Sequence, residues 1–234
     1  MIFKQLFEPT SSTFTYVIGD EKTKEVLVID SVLENTDELL AFVEQIGCNL
    51  TLAIDTHTHA DHITGMGSLR KKTGCITMMG RESGAACLSG TFCHGDIVGV
   101  GSISLKAIYT PGHTNDSYSF HLASANGDML FSGDTLLIGG TGRTDFQGGD
   151  PGAQFDSLHD HILVLPDDVV LYPAHNYKNI TESTLATEKK SNPLLQISNR
   201  QDYIDLMNSI ILPDPKMMHI AVPANRACGD INGV

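Results

Sequence analysis

The sequence has few basic residues. Lys and Arg total 15 among 234 residues, against 28 Asp and Glu, which gives a formal net charge of −13. A surface of this sign repels the phosphates of nucleic acids and of anionic membranes. We therefore expect neither nucleic acid nor a membrane as a partner. The oligomeric state is left open, with a homodimer as one option.

Long apolar runs are also missing. No stretch reaches about 18 consecutive apolar residues, the length needed to cross a bilayer. Residues 1–13 reach a proline and a polar run too early for the apolar core of a signal peptide. These absences favour a soluble, cytoplasmic protein.

The cysteines show no pairing pattern. Their number is odd, their spacing is irregular, and no C-x-x-C pair occurs among Cys48, Cys75, Cys87, Cys93 and Cys228. This pattern is typical of free thiols in a reducing compartment and argues against a disulfide scaffold.

Motifs of two common enzyme classes are absent. The sequence contains neither G-x-S-x-G nor G-K-[ST], so nothing supports a serine hydrolase or a P-loop NTPase. Internal repeats, low-complexity segments and linker-like changes of composition are missing as well. We therefore expect one domain over 1–234, with helices toward its C-terminal end.

Apolar runs separated by turn residues predict two β-rich regions. The predicted strands are FTYVIGD, KEVLVIDS and NLTLAI in the first region, and ISLKAIYT, SYSFHL, DMLFSGD and VVLYPAH in the second. Asn126-Gly127 predicts a hairpin. Helices are expected over Glu34–Ile46, Ala153–Leu163, Thr181–Lys190 and Arg200–Ile211. Two sheets with helices on their outer faces predict a four-layer α/β/β/α sandwich.

The strongest motif is THTHADH at 56–62, directly after the apolar run LTLAI. Side chains two residues apart on an extended segment share a face, so His57 and His59 converge. A turn into a helix start then lets Asp61 and His62 reach the same point. Three imidazoles and a carboxylate this close together are typical of a metal-ligand set.

Three further candidate ligands follow apolar strands, namely His113 in PGHT, Asp134 in SGDT and His175 in PAH. A Gly or Pro beside each one fixes the turn that presents it at a sheet edge. The full set can hold two metal ions, or one ion with an elaborate set of outer partners. The remaining histidines lack this context and are expected to be surface or structural residues: His94, His121, His159, His161 and His219.

The order of these motifs resembles the metallo-β-lactamase superfamily. Longer matches resemble its persulfide dioxygenase family over nearly the whole chain. They are SGDTLLIGGTGRTDFQ at 132–147, PAHNY at 173–177, Asn192-Pro193, and AVPAN at 221–225 with Cys228-Gly229. The resemblance implies an α/β fold, the four-layer αββα sandwich of the metallo-β-lactamase type.

The resemblance also implies a reaction and its cofactor. Members of the family oxidise glutathione persulfide with O2 to sulfite and glutathione, using one non-haem Fe(II) per chain. By motif, the iron ligands here would be His57, His113 and Asp134. Such a set leaves positions on the iron for a substrate sulfur and for O2. The other catalytic candidates would orient ligands and bound water: His59, Asp61, His62 and His175.

Arg143 and Tyr177 match family positions that contact the glutathione moiety, and a guanidinium suits a carboxylate through paired hydrogen bonds. A structural salt bridge and a packed aromatic ring are the respective alternatives. Two departures leave the persulfide carrier open. Thr141 stands where many members have Cys, and Leu194 follows Asn-Pro where some members have an Arg that helps to hold glutathione.

The closest rival function is a glyoxalase II-like thioester hydrolase, which uses the same seven ligands around two metals and a glutathione-containing substrate. The GRTDFQ run and the short C-terminal tail favour the dioxygenase, because glyoxalase II proteins generally carry a longer helical substrate domain. A non-enzymatic sulfur carrier or scaffold is the third alternative, and the intact ligand set disfavours it.

Overall fold

The computed structural model describes residues 1–178 and 180–230, which form two six-stranded sheets and their flanking helices. The chain divides into two compact units. The first holds Met1–Phe92, Ile97–Ser104 and the segment that begins at Asp214, and the second holds Cys93–Asp96 and Leu105–Pro213. The single domain over 1–234 stays a prediction. No helix among the described residues is long and apolar enough to span a membrane.

The first sheet follows chain order. Its strands are β1 (Ile2–Glu8), β2 (Thr13–Asp20), β3 (Glu25–Ile29), β4 (Asn49–Ile54), β5 (Ile76–Gly80) and β6 (Gly90–Phe92). Pairing is antiparallel from β1 to β3 and parallel from β3 to β6. Parallel neighbours need a crossover, which α1 (Thr36–Gln45) and α2 (Met66–Thr73) provide. Both helices bury apolar side chains in one core, among them Leu39, Val43, Met66 and Leu69.

The second sheet also follows chain order. Its strands are β7 (Ile97–Val100), β8 (Ile103–Tyr109), β9 (Tyr118–Leu122), β10 (Met129–Gly133), β11 (Val170–Pro173) and β12 (Ser183–Thr184). The predicted Asn126-Gly127 hairpin is confirmed, because it joins antiparallel β9 and β10 and Gly127 adopts a positive φ of 112°. The later helices are α3 (Pro151–Ser157), α4 (Leu185–Ser191), α5 (Arg200–Ser209) and α6 (Met218–Arg226).

Three helix predictions need correction. The helix expected from Thr181 begins only at Leu185, because Ser183 and Thr184 pair with β11 and the Thr184 side chain then caps α4. The helix over Ala153–Leu163 begins earlier, at Pro151, and continues as a π-helix over Leu158–Ile162. The predicted helix start at Asp61 and His62 is wrong, since both residues lie in a loop before α2.

The prediction of five free thiols is wrong for one pair. Cys87 and Cys228 form a disulfide with their Cα atoms 6.0 Å apart. The two residues are separated by 141 positions, so local spacing gives no sign of the pairing. Cys48, Cys75 and Cys93 are not in disulfides.

Candidate metal centre

The candidate ligands lie directly after strands, as the sequence predicts. In the first unit, β4 ends at Ile54 and the loop over 55–65 carries His57, His59, Asp61 and His62. The three imidazoles of this loop are almost fully buried. The ring centroids of His57 and His59 are 4.1 Å apart, and those of His59 and His62 are 4.4 Å apart. The ligand atoms of His59, Asp61 and His62 lie within 4.8 Å of one another. The loop therefore gathers three of its four predicted ligands at one point, and the His57 ring lies against that of His59.

Asp30, which directly follows β3, holds this loop in place by accepting hydrogen bonds from it. Its Oδ1 accepts a hydrogen bond of 2.7 Å from the backbone N–H of Thr56. Its Oδ2 accepts one of 3.0 Å from the Thr56 hydroxyl. The same carboxylate accepts from His59 Nε2 at 3.2 Å. Because Nε2 donates to Asp30, Nδ1 is the His59 nitrogen that can bind a metal once it has lost its proton. Sequence patterns did not single out Asp30, since it lies 26 residues before Thr56.

His57 is oriented by the same network. The Thr56 hydroxyl donates to Asp30, so its oxygen accepts from His57 Nδ1 at 3.0 Å. The lone pair of His57 is then on Nε2. Metal-binding histidines usually donate their other ring N–H to a protein acceptor in this way. The arrangement therefore suits a metal ligand.

A second carboxyl group, Asp55, is buried beside Asp30 and His59, and the ligand atoms of the three lie within 4.8 Å of one another. Burial lowers the pKa of His59, but the negative charge of Asp30 and the hydrogen bond to it outweigh burial and raise this pKa to about 9. Burial and the charge of Asp30 raise the pKa of Asp55 to about 7, against the opposing effect of His59. The positive charge of His59 is thus balanced by the negative charge of Asp30 within this buried group.

The second unit gathers the other three ligands. The Nδ1–H of His175, after β11, donates to Asp134 Oδ1 at 2.7 Å. His113 Nε2 lies 3.5 Å from Asp134 Oδ2. Two atoms this far apart can both lie about 2.1 Å from one ion. His113 Nδ1 donates to the backbone oxygen of Arg143 at 2.7 Å, which leaves Nε2 to bind.

The loop that carries Arg143 is held against His113 by close packing. Gly142 donates its N–H to the Asp134 carbonyl at 2.8 Å, and an added Cβ at position 142 would lie 2.3 Å from that oxygen and 2.8 Å from His113 Nδ1. Gln154 Nε2 donates to the Gly142 carbonyl at 3.0 Å, and the Tyr203 hydroxyl donates to Gln154 Oε1 at 2.7 Å. Sequence analysis did not identify Gln154 or Tyr203 as supporting residues, because only the fold brings them to this loop.

The Arg143 side chain is engaged within its own unit. Its guanidinium donates two hydrogen bonds of 2.6 Å to the Asp145 carboxylate and one of 2.7 Å to the Pro213 carbonyl. The hydrogen bonds from Arg143 lower the pKa of Asp145 and keep it ionised. Arg143 and Leu194 line the same small cavity, whose volume is about 80 Å³. The contacts with Asp145 form a salt bridge, which is the structural alternative to a role of Arg143 in substrate binding.

Tyr177 is 72% exposed, and its ring is parallel to that of His175 with the centroids 6.2 Å apart. A core aromatic residue would be buried. Tyr177 therefore presents an accessible apolar face and a hydroxyl beside a candidate ligand.

The chain is similar to known proteins over most of its length. Residues 9–175 match the family model of the metallo-β-lactamase superfamily. The chain is 40% identical over 230 residues to the Homo sapiens protein named "Persulfide dioxygenase ETHE1, mitochondrial", a match that covers 98% of this chain and 89% of the relative. A hydroxyacylglutathione hydrolase of Rhodopseudomonas palustris is 33% identical over 196 residues, covering 82% of this chain and 73% of that protein.

The solved structures give the same result. The crystal structure of ETHE1 from Myxococcus xanthus superposes with a TM-score of 0.94 and 45% identity, and the match covers 98% of this chain and all of that one. The predicted α/β fold of the metallo-β-lactamase type is confirmed. The chain therefore belongs to the metallo-β-lactamase superfamily and, within it, to the persulfide dioxygenases, a family of oxidoreductases.

Proposed function

We propose that the protein is an Fe(II)-dependent dioxygenase that converts glutathione persulfide, O2 and water into glutathione and sulfite. The reaction balances, because the outer persulfide sulfur loses four electrons, O2 gains them, and water supplies the third sulfite oxygen. The observation that carries the proposal is the near-full-length similarity to proteins named persulfide dioxygenase, at 40% and 45% identity.

The donor chemistry supports a single iron site. His57, His113 and Asp134 would hold the ion as a two-His, one-carboxylate set, the arrangement typical of non-haem Fe(II) oxygenases. When bound, the iron supplies open positions at which a sulfur ligand and O2 can meet. The hydrogen bonds that Nδ1 of both histidines donates support this role, because they leave Nε2 of each ring unprotonated.

The remaining polar residues would position the reactants. His59 and His62 are buried, Asp61 lies half-buried beside them, and His175 is held by Asp134. We propose that these four residues orient the metal ligands and the water molecule whose oxygen enters sulfite. Tyr177 would contact the carrier peptide through its exposed face. Arg143 would bind a carboxylate of the carrier, in exchange for part of its pairing with Asp145. A cytoplasmic location and a homodimer remain predictions.

The test combines metal analysis with turnover. Protein purified without oxygen should contain about one iron per chain, and His57→Ala, His113→Ala and Asp134→Ala should each lose it. His161→Ala is a matched control, because His161 lies on the π-helix at 158–162 and outside the ligand set. O2 uptake and sulfite release should follow the iron content. Two tightly bound zinc ions in active protein would contradict the single-iron proposal.

The thioester hydrolase alternative is supported by the similarity to a hydroxyacylglutathione hydrolase. That activity needs no O2 and acts on S-lactoylglutathione. We expect the protein to hydrolyse this substrate slowly or not at all. Rapid hydrolysis without O2, together with no sulfite from persulfide, would favour the hydrolase.

A further inference from the structure

Helix α6 is joined to the ligand loop of the first unit by one side chain. Asn225 on α6 is 2% exposed. Its Nδ2 donates to the carbonyls of His59 and His62, each at 2.9 Å. Its Oδ1 accepts from the backbone N–H of Thr64 at 2.8 Å. A single amide therefore fixes three backbone groups within a six-residue stretch of the loop.

Apolar packing and close backbone contacts bring α6 against the same stretch. Ala221 and Ala224 are fully buried and pack against Ile63. Gly229, just after the helix, has a φ of 83°, and a Cβ at this position would lie 2.2 Å from the Thr64 carbonyl oxygen. The alanines and this glycine leave no space between α6 and the loop, so a shift of the helix must move the loop.

The end of α6 is also held covalently. Cys228 lies two residues beyond the helix and forms the disulfide with Cys87, which lies between β5 and β6. The Cys228 carbonyl accepts a hydrogen bond of 2.9 Å from the N–H of Gly67 at the start of α2. The disulfide therefore ties the end of α6 to a neighbouring loop of the same unit.

We propose that α6 is a clamp on the ligand loop, with Asn225 as its positioning residue and the Cys87–Cys228 disulfide as its lock. The Asn225 amide contacts the backbone of the loop. It acts by fixing the backbone at residues 59–64, which directs the His59, Asp61 and His62 side chains and continues from His57, the iron ligand that this loop supplies in the proposed site. Outer partners of metal ligands typically contribute 10- to 100-fold to metal affinity. The inference rests on the proposed function only in that the loop contributes to a metal site.

Reduction should open the lock. A small dithiol transfers two electrons and two protons to the disulfide, which yields the thiols of Cys87 and Cys228 and leaves the reagent as its cyclic disulfide. The hydrogen bonds of Asn225 remain in the reduced protein, but the helix end is then held by non-covalent contacts alone. Metal affinity should therefore fall on reduction, and by less than it falls when Asn225 is removed.

The experiment measures Fe(II) affinity by chelator competition, and amide hydrogen exchange at residues 59–64, in full-length protein. Asn225→Ala should weaken Fe(II) binding 10- to 100-fold and speed exchange at the Thr64 amide, while the core strands keep their protection. Asn225→Asp should behave alike, because it keeps an acceptor for Thr64 but places a carboxylate against two carbonyls. Arg226→Ala, on the exposed side of the same helix, should match the wild type.

The lock is tested by dithiol treatment of wild type and by Cys87→Ser, with Cys93→Ser as the control outside the disulfide. Dithiol treatment and Cys87→Ser should each weaken Fe(II) binding and speed amide exchange at residues 59–64, and Cys93→Ser should do neither. Reduction needs no substitution, so it remains informative if an Asn225 variant fails to fold. Unchanged Fe(II) affinity in Asn225→Ala would refute the role of Asn225. Unchanged Fe(II) affinity and unchanged amide exchange in the reduced protein would refute the role of the disulfide. Wild-type protein that binds no Fe(II) would instead refute the proposed function.

Discussion

Replacing Arg143 by alanine separates a substrate contact from a structural one. In the structure, the guanidinium donates two hydrogen bonds of 2.6 Å to Asp145, and this carboxylate is held ionised. An anionic substrate that uses Arg143 must share these donors or displace Asp145. The two roles therefore predict different kinetics for variants at the two positions.

The expected magnitude follows from the exposure of the pair. The Arg143 and Asp145 side chains are 16% and 40% exposed, and ion pairs near the surface contribute about 0–1 kcal/mol to folding. A hydrogen bond between a charged ligand group and Arg143 contributes about 1.5–3 kcal/mol. Losing it should raise KM about 10- to 150-fold, with little change in kcat. Asp145→Asn should lower KM, because it removes the competing carboxylate and leaves the guanidinium in place.

Steady-state O2 uptake on glutathione persulfide, with metal-replete protein, measures both parameters. Thermal unfolding of the same samples reports the structural contribution. An unchanged KM in Arg143→Ala and in Asp145→Asn, with a lower Tm in both, would refute a role of Arg143 in substrate binding. Arg143 would then be a structural residue, and the carrier would be held elsewhere.

Two carboxylates give predictions for stability. Burial raises the pKa of Glu8, but hydrogen bonds from Ser11 and Thr10 outweigh it and lower the pKa to about 2 from a reference of 4.5. Its stabilising effect is therefore full above pH 4.5 and lost as the pH falls toward 2. Glu8→Gln should cost about 1–3 kcal/mol in urea unfolding at pH 7, and a gap that stays constant down to pH 3 would contradict this. Glu188 is buried and accepts from Gly139 N at 2.8 Å and from Ser183 Oγ at 2.6 Å. Glu188→Ala should cost about 1–3 kcal/mol, because it removes the buried acceptor of these two part-buried donors, and a loss no larger than that of exposed Glu34→Ala would count against it.

Local sequence patterns predicted most of the strands and the positions of the candidate ligands along the chain. Strand periodicity and turn residues are local signals, so His113, Asp134 and His175 could be placed at strand ends from short motifs. Residues that support the ligands are not marked in this way. Asn225 is 166 residues from His59, and nothing in the intervening sequence indicates that its amide reaches the loop.

The disulfide and the start of α4 could not be predicted from local sequence either, because both depend on contacts between residues that are not neighbours in the chain. Cys87 and Cys228 lie 141 residues apart, and only the packing of α6 brings them together. The start of α4 was placed too early because Ser183 and Thr184 pair with β11, and a tertiary pairing overrides local helix propensity. Where the fold was predicted correctly, the signal was confined to a few neighbouring residues.

The order in which the units can be completed during synthesis follows from where α6 lies in the chain. The first unit takes its sheet from the first part of the chain, but its last segment begins at Asp214. A ribosome adds about 5–20 residues per second, and domains generally fold as they emerge. The sheet of the first unit can therefore form on the nascent chain well before Asn225 is made. The loop over 55–65 must wait for α6, so its candidate ligands reach their final positions only after Asn225, 166 residues beyond His59, has been made.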